Sequence, residues 1–140
     1  MSPQIPLRIP LDVVVVDDNE PLMRFLVRSI SRTFEDGCNV EGYTNANDGY
    51  EAVRRLSGKE GSEGMGVVLC TDNDIVSRNE GINLVMKLRK EGYTRVHVIL
   101  SSARPMEMEA LTSGANKFFE KPYTPNEVTD YIVEQFGKND

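Results

Sequence analysis

The residue types that can do chemistry in this sequence stand where apolar runs stop. Val13-Val14-Val15-Val16 ends in Asp17-Asp18, and Val67-Val68-Leu69-Cys70-Thr71 ends in Asp72-Asn73-Asp74. Val98-Ile99-Leu100 ends in Ser101-Ser102, and Phe118-Phe119-Glu120 ends in Lys121-Pro122. Brought to one place, the carboxylates of Asp17, Asp18 and Asp72 repel one another unless a cation sits among them. A hard divalent ion with oxygen ligands, Mg²⁺ above all, meets that need. A carboxylate also serves as a nucleophile that becomes an acyl phosphate, and phosphoryl transfer requires charge on the equatorial oxygens to be neutralised. Lys121 offers a mobile point charge for this, and Ser101 a hydroxyl donor. The residues therefore point to Asp72 as acceptor, Asp18 and Asp17 as metal ligands beside it, and Ser101 and Lys121 on the other phosphoryl oxygens.

Such residues converge only if the runs before them are parallel strands of one sheet. Continuous apolar runs without alternation suit strands buried on both faces. The spacing predicts strands over 12–16, 38–43, 67–71, 95–100 and 116–120. Between them lie helical patterns: a unit opening at Pro21 and ending at Gly37, then 47–56, 81–90, a short helix over 106–113, and a last helix after Thr124. Pro21 suits a first helical turn, and Thr124-Pro125-Asn126-Glu127 reads as a capping box. Strand and helix thus alternate five times, which implies an α/β fold, (βα)5, with a doubly wound parallel sheet covered by helices on both faces. In such sheets ligands bind beyond the carboxyl ends of the strands. Residues 1–10, with three prolines, read as an extended lead-in, and 11–140 as one domain. The loop over 57–66 holds four glycines and reads as the best candidate for a mobile connection.

Bulk properties narrow the function. A net charge of −6 over 140 residues argues against direct nucleic-acid binding, which needs a basic footprint, but suits a cation or a protein partner. Cys38 and Cys70 read as small buried hydrophobes rather than a disulfide. The amino-terminal stretch has no secretory signal pattern, and no apolar run reaches membrane-spanning length. No membrane partner is expected, and a reducing, cytoplasmic setting is the default. The lone histidine, His97, reads as structural, because no second histidine exists to build a nitrogen-rich metal site.

At Val15-Val16-Asp17-Asp18, Leu69-Cys70-Thr71-Asp72, Ile99-Leu100-Ser101-Ser102 and Phe119-Glu120-Lys121-Pro122-Tyr123, the chain resembles the receiver domain of two-component response regulators, the CheY-like family. Gly81-Ile82 matches the glycine that opens the family's third helix. The resemblance covers roughly residues 11–136, and the order of the motifs, each at a strand end, is what makes it specific. It implies the flavodoxin-like strand order 2-1-3-4-5. It also implies phosphorylation of Asp72 by a sensor histidine kinase or a histidine phosphotransfer protein, with the Asp74 backbone carbonyl completing the metal site. Ser101 and Phe118 would relay the change to the fourth helix, fifth strand and fifth helix. The output would be a downstream protein or an output domain absent from this chain, and phosphorylation-dependent dimerisation is left open. Such a domain is not an enzyme beyond self-phosphotransfer and autodephosphorylation. The Lys121-Pro122 bond would be cis, as is typical of the family.

Two departures stand out. Ile75-Val76 replaces the family's Met-Pro, and the stretch from Asp72 to Gly81 looks one residue longer. The acidic side chain of Asp74 would face the approach of hydrolytic water and alter the lifetime of the phosphorylated state. Three other functions compete. Asp72-Asn73-Asp74 also resembles the first motif of haloacid-dehalogenase-type phosphatases, with Asp72 as nucleophile and Asp74 as acid–base, but there the metal-binding acidic pair follows the nucleophile. A flavodoxin-like cofactor binder needs a phosphate-cradling first loop, which Asp17-Asp18-Asn19-Glu20 opposes. A receiver-like module that no longer takes phosphate is opposed by the complete acidic, hydroxyl and lysine set. Taken singly, Asp17-Asp18 reads as a helix cap, Ser101-Ser102 as a turn, Lys121 as a solvated charge and Phe118 as core; only their convergence favours a site.

Overall fold

The computed structural model describes residues 4–58 and 61–138. Residues 1–3 of the expected lead-in, 59–60 of the glycine-rich loop and the last two residues of the expected domain lie outside that set. Five strands and five helices alternate: β1 (Leu11–Val16), α1 (Glu20–Thr33), β2 (Cys38–Tyr43), α2 (Ala46–Leu56), β3 (Val67–Asp72), α3 (Glu80–Lys90), β4 (His97–Ser102), α4 (Glu107–Ser113), β5 (Lys117–Glu120) and α5 (Pro125–Phe136). The strands form one sheet in the order β2-β1-β3-β4-β5, and every neighbouring pair is parallel. This is the doubly wound arrangement and strand order expected above.

The valine-rich runs become central strands because β-branched side chains fit a pleated surface packed from both sides. All six residues of β3 are buried. Successive side chains point to opposite faces, so each strand feeds two cores. Val14, Val16, Val67, Leu69, Val98 and Leu100 pack with α2, α3 and α4. Val13, Val15, Val68, Cys70 and Ile99 pack with Met23, Leu26 and Ile30 of α1 and with Val128 and Ile132 of α5. From β1 the chain steps one way to β2 and then crosses back past β1 to β3. That reversal opens a crevice at the carboxyl edge between β1 and β3.

Some boundaries differ from expectation: β4 runs His97–Ser102 rather than 95–100, so Ser101 and Ser102 lie within the strand. The first helical unit stops at Thr33, not Gly37. Ile5 intervenes: it forms a parallel bridge with Phe34, takes a hydrogen bond from Glu35 N and donates one to Thr33 O. Phe34 turns extended and is 2% exposed, while Gly37, at φ +97°, makes the turn into β2. The connection over 57–66, expected to be mobile, makes contact with the segment before β4 at Glu63. Arg95 N donates to Glu63 O at 2.9 Å and the Thr94 hydroxyl to the Glu63 carboxylate, joining Glu63 to the segment that leads into β4.

Gly81 opens α3 by close approach, not by an unusual dihedral. Its N–H donates to Asn73 O at 2.8 Å. A Cβ there would stand 2.5 Å from Asp72 O and 2.6 Å from the Cα of Asn73, backbone atoms that cannot swing aside. Gly81→Ala is expected to cost about 1–3 kcal/mol, the range for overpacking, measured by urea unfolding; an unchanged midpoint would mean that the β3–α3 loop yields freely.

Candidate functional site

The register of the sheet assembles the site. Val16 pairs with Thr71, so Asp17 emerges beside Asp72, and Asp72 pairs with Ser101. Ser102 pairs with Glu120, and Lys121 follows at once, its N–H donating to Ser102 O at 2.8 Å. Residues from four parts of the sequence thereby reach one edge. Asp17 is 5% exposed, Asp72 8% and Ser101 6%, whereas Asp18 faces solvent.

The carboxylates of Asp17, Asp18 and Asp72 each place an oxygen within 4.8 Å of the others. Lys121 Nζ lies 3.5 Å from Asp17 Oδ2 and 3.2 Å from Asp72 Oδ2. Burial pushes the Asp72 carboxyl above its ordinary range; Lys121 opposes this, and Asp17 adds to it. Burial works against the charge of Lys121, but Asp17 and Asp72 together outweigh it and raise its pKa. Three carboxylates and one ammonium leave two negative charges uncompensated, which is the complement of a divalent cation. The donors are all oxygen, as hard cations require.

Helix capping does not account for the acidic pair. The cap of α1 is Asn19, whose Oδ1 accepts from Leu22 N at 3.1 Å. Asp17 Oδ1 accepts from Asn19 N at 2.9 Å, which fixes its carboxylate and leaves Oδ2 toward Lys121. The predicted capping box of Thr124 and Glu127 is present and launches α5 directly after the Lys121-Pro122 peptide, which is cis.

The remaining predicted residues are placed less simply. Phe118 is buried in the layer of α2, α3 and α4, whereas its neighbour Phe119 and Tyr123 pack in the opposite layer and line the crevice with Asp72 and Ser101. The Asp74 backbone amide is a minor influence that favours the ionised form of Asp72. The Asp74 side chain is tied outward, to Asn79 N at 2.9 Å and to Arg104 at 3.3 Å. Where Met-Pro was expected, Ile75 is 3% exposed and joins the core, and Val76 is 75% exposed.

Sequence reading passed over Asn73. It is fully buried; its N–H donates to Ser101 O and its carbonyl accepts from Gly81 N. Its Oδ1 accepts from Ile82 N at 3.0 Å, and its Nδ2 donates to Asn79 Oδ1 at 3.0 Å. Asn73 thus extends the β3–β4 ladder past Asp72 and caps α3. The only signal in the sequence was an amide set between two carboxylates. Arg104 was also missed, since nothing local marks a partner thirty residues away.

His97 and the two cysteines lie outside the acidic cluster's ligand set. His97 Nε2 lies 2.7 Å from the Tyr131 hydroxyl, and its ring meets Phe136 edge-on. Cys38 and Cys70 are free; burial pushes their thiols up to about 11 and about 12. Among the described residues, no helix is long and apolar enough to cross a membrane.

Comparison with known proteins agrees with this geometry. The model of the response regulator receiver domain matches residues 13–133. The chemotaxis protein CheY1 of Helicobacter pylori is 26% identical over 134 residues, covering 93% of this chain and 100% of that protein. A CheY homologue of Campylobacter jejuni is 27% identical over 131 residues, 91% of this chain and 93% of the relative. The signal receiver domain of a putative LuxO repressor from Vibrio parahaemolyticus superposes with a TM-score of 0.71 at 12% identity, covering 90% of this chain and 89% of that one.

The raised carboxyl of Asp72 has a sign that can be measured. A group protonated more readily in the folded state destabilises it as pH rises from the ordinary carboxylate pKa, about 3.9, through the raised native value. Without divalent cations, Asp72→Asn is expected to be more stable than the parent at pH 7. The advantage should vanish below about pH 4. Urea midpoints across that range test it, and a constant difference at every pH would contradict it.

Proposed function

Because the chain belongs to the response regulator receiver domain family, we propose that it signals by accepting a phosphoryl group on Asp72. The observation that carries this is the Asp72 carboxylate, nearly buried, 3.2 Å from Lys121 Nζ and inside an acidic cluster with Asp17 and Asp18. The donor is a phosphohistidine on a sensor histidine kinase or a histidine phosphotransfer protein. An Asp72 oxygen attacks the phosphorus, the P–N bond breaks, and the imidazole departs. Lys121 Nζ takes one phosphoryl oxygen and the Ser101 hydroxyl donates to another. Asp17, Asp18 and Asp72, with the Asp74 carbonyl, would hold Mg²⁺, which when bound neutralises charge shared between the carboxylates and the phosphoryl oxygens.

In this reading Ser101 and Phe118 carry the change to α4, β5 and α5. Exposed Met108 and Leu111 on α4 belong to a surface whose shape depends on phosphorylation and which a downstream protein or an output domain reads. The chain works in the cytoplasm, with residues 11–140 as its receiver unit. It turns over no external substrate beyond its own phosphorylation and dephosphorylation. The engagement of Asp74 by Arg104 and Asn79 supports this over a phosphatase, which needs that carboxylate free for proton transfer.

Incubation with acetyl phosphate and Mg²⁺, read by intact mass, is the test. One phosphoryl group per chain is expected on the parent and none on Asp72→Ala or without the cation. Lys121→Ala is expected to slow labelling by at least about tenfold, in line with loss of a charged donor to a developing anion. Labelling that survives Asp72→Ala, or multiple-turnover hydrolysis of a small phosphate ester, would falsify the proposal.

A further inference from the structure

The β3–α3 loop carries a fourth carboxylate, Asp74, that is not among the three clustered at the strand ends. Its Oδ1 accepts from Asn79 N at 2.9 Å and faces Arg104 Nη2 at 3.3 Å. The same guanidinium nitrogen donates to Asn79 Oδ1 at 2.7 Å. Arg104 follows Ser101 by three residues, in the β4–α4 loop, so this pairing joins the two loops that flank Asp72. Asn79 precedes α3 where an asparagine side chain ordinarily accepts from first-turn amides. Here it makes no such bond; its Oδ1 serves Arg104 and Asn73 instead, and its backbone stands at φ +65°. The loop thus leaves the capping of α3 to Asn73, and the Asn79 side chain holds Arg104 beside Asp74 instead.

Resting on the phosphoacceptor reading above, we propose that Arg104 is a positioning residue that keeps the Asp74 carboxylate out of the cation site. With Arg104 present the site offers three carboxylates; without it Asp74 turns inward as a fourth. The extra negative charge strengthens cation binding. It also places a base beside the acyl phosphate. There, water adds through its oxygen to phosphorus and its proton passes to Asp74. The bond from phosphorus to the Asp72 oxygen breaks, and inorganic phosphate leaves as the Asp72 carboxylate is restored. Arg104 therefore lengthens the phosphorylated state without touching the phosphoryl group.

The parent, R104A, D74N and R104A/D74N decide the matter, each first checked for a cooperative urea transition. The first readout is calorimetric titration of the unphosphorylated proteins with MgCl₂. The second is decay of the acyl phosphate by intact mass after labelling with acetyl phosphate. Losing Arg104 removes one positive charge in either background, so a general electrostatic effect appears equally in both. The proposal requires an excess where Asp74 is present: tighter Mg²⁺ binding and faster decay, each about two- to fivefold beyond the change in the D74N background, the scale of a half-exposed ion pair. R104K, which keeps the charge but not the planar fork, should fall between. Equal increments in the two backgrounds, or an R104A that behaves as the parent, overturn the role of Arg104. A parent that takes no phosphoryl group yet shows the excess in the titration overturns the receiver reading and upholds the placement of Asp74.

Discussion

The arrangement hangs on one ammonium shared between two nearly buried carboxylates. Lys121 reaches Asp17 and Asp72 from the far side of the sheet, and each carboxylate is withdrawn from water that would otherwise screen it. A buried pair of this kind is poor evidence for stability, because desolvation of both partners offsets their attraction. The net rise of the Asp72 pKa despite its lysine marks the ionised carboxylate as a cost to the folded chain, while the raised pKa of Lys121 runs the other way. Such costs persist where a site works through them. Lys121 lowers the repulsion between the carboxylates and leaves net negative charge to attract a cation.

Everything else at the edge serves to hold those three groups at their separations. Strand pairing fixes Asp17, Asp72 and Ser101 side by side, and a one-residue slip would turn their side chains to the other face. Beyond the strands, Asn73 continues the ladder with its backbone and starts α3 with its side chain. Gly81 lets the helix return against the end of β3 with no side chain between. The acceptor is therefore set by regular structure on one side and by buried amide hydrogen bonds on the other. On the rim lie Asp18, exposed to solvent, and the paired Asp74 and Arg104.

What could be read from the sequence follows from which forces are local. The valine runs, the proline at the start of α1 and the Thr124 capping box are local signals, and each element formed where expected. The convergence of Asp17, Asp72, Ser101 and Lys121 was legible because parallel strands bring all their carboxyl ends to one edge, so knowing where each run stops was enough. The end of α1 was not legible. Nothing near Thr33 announces that Ile5 will pair with Phe34, and that contact overrode the glycine as a stop signal. The pairing of Asp74 with Arg104 was hidden for the same reason, being a contact between loops whose paths only the folded core defines. Phe119 and Phe118 look alike in sequence; the parity of the strand sends one to each layer.

The segment before β1 has a consequence for how the domain connects to anything else. Leu7 bridges Gly137, Lys138 N donates to Pro6 O at 2.8 Å, and Arg8 N donates to Phe136 O. Entry and exit of the chain are thus stitched together at the pole where the strands begin. The strands are six residues long at the centre of the sheet, which puts that pole about 20 Å from the acidic edge. A tether, label or neighbouring module joined at either end would hang from the quiet pole and leave the reactive one unobstructed. Any message between them must travel the full length of the strands.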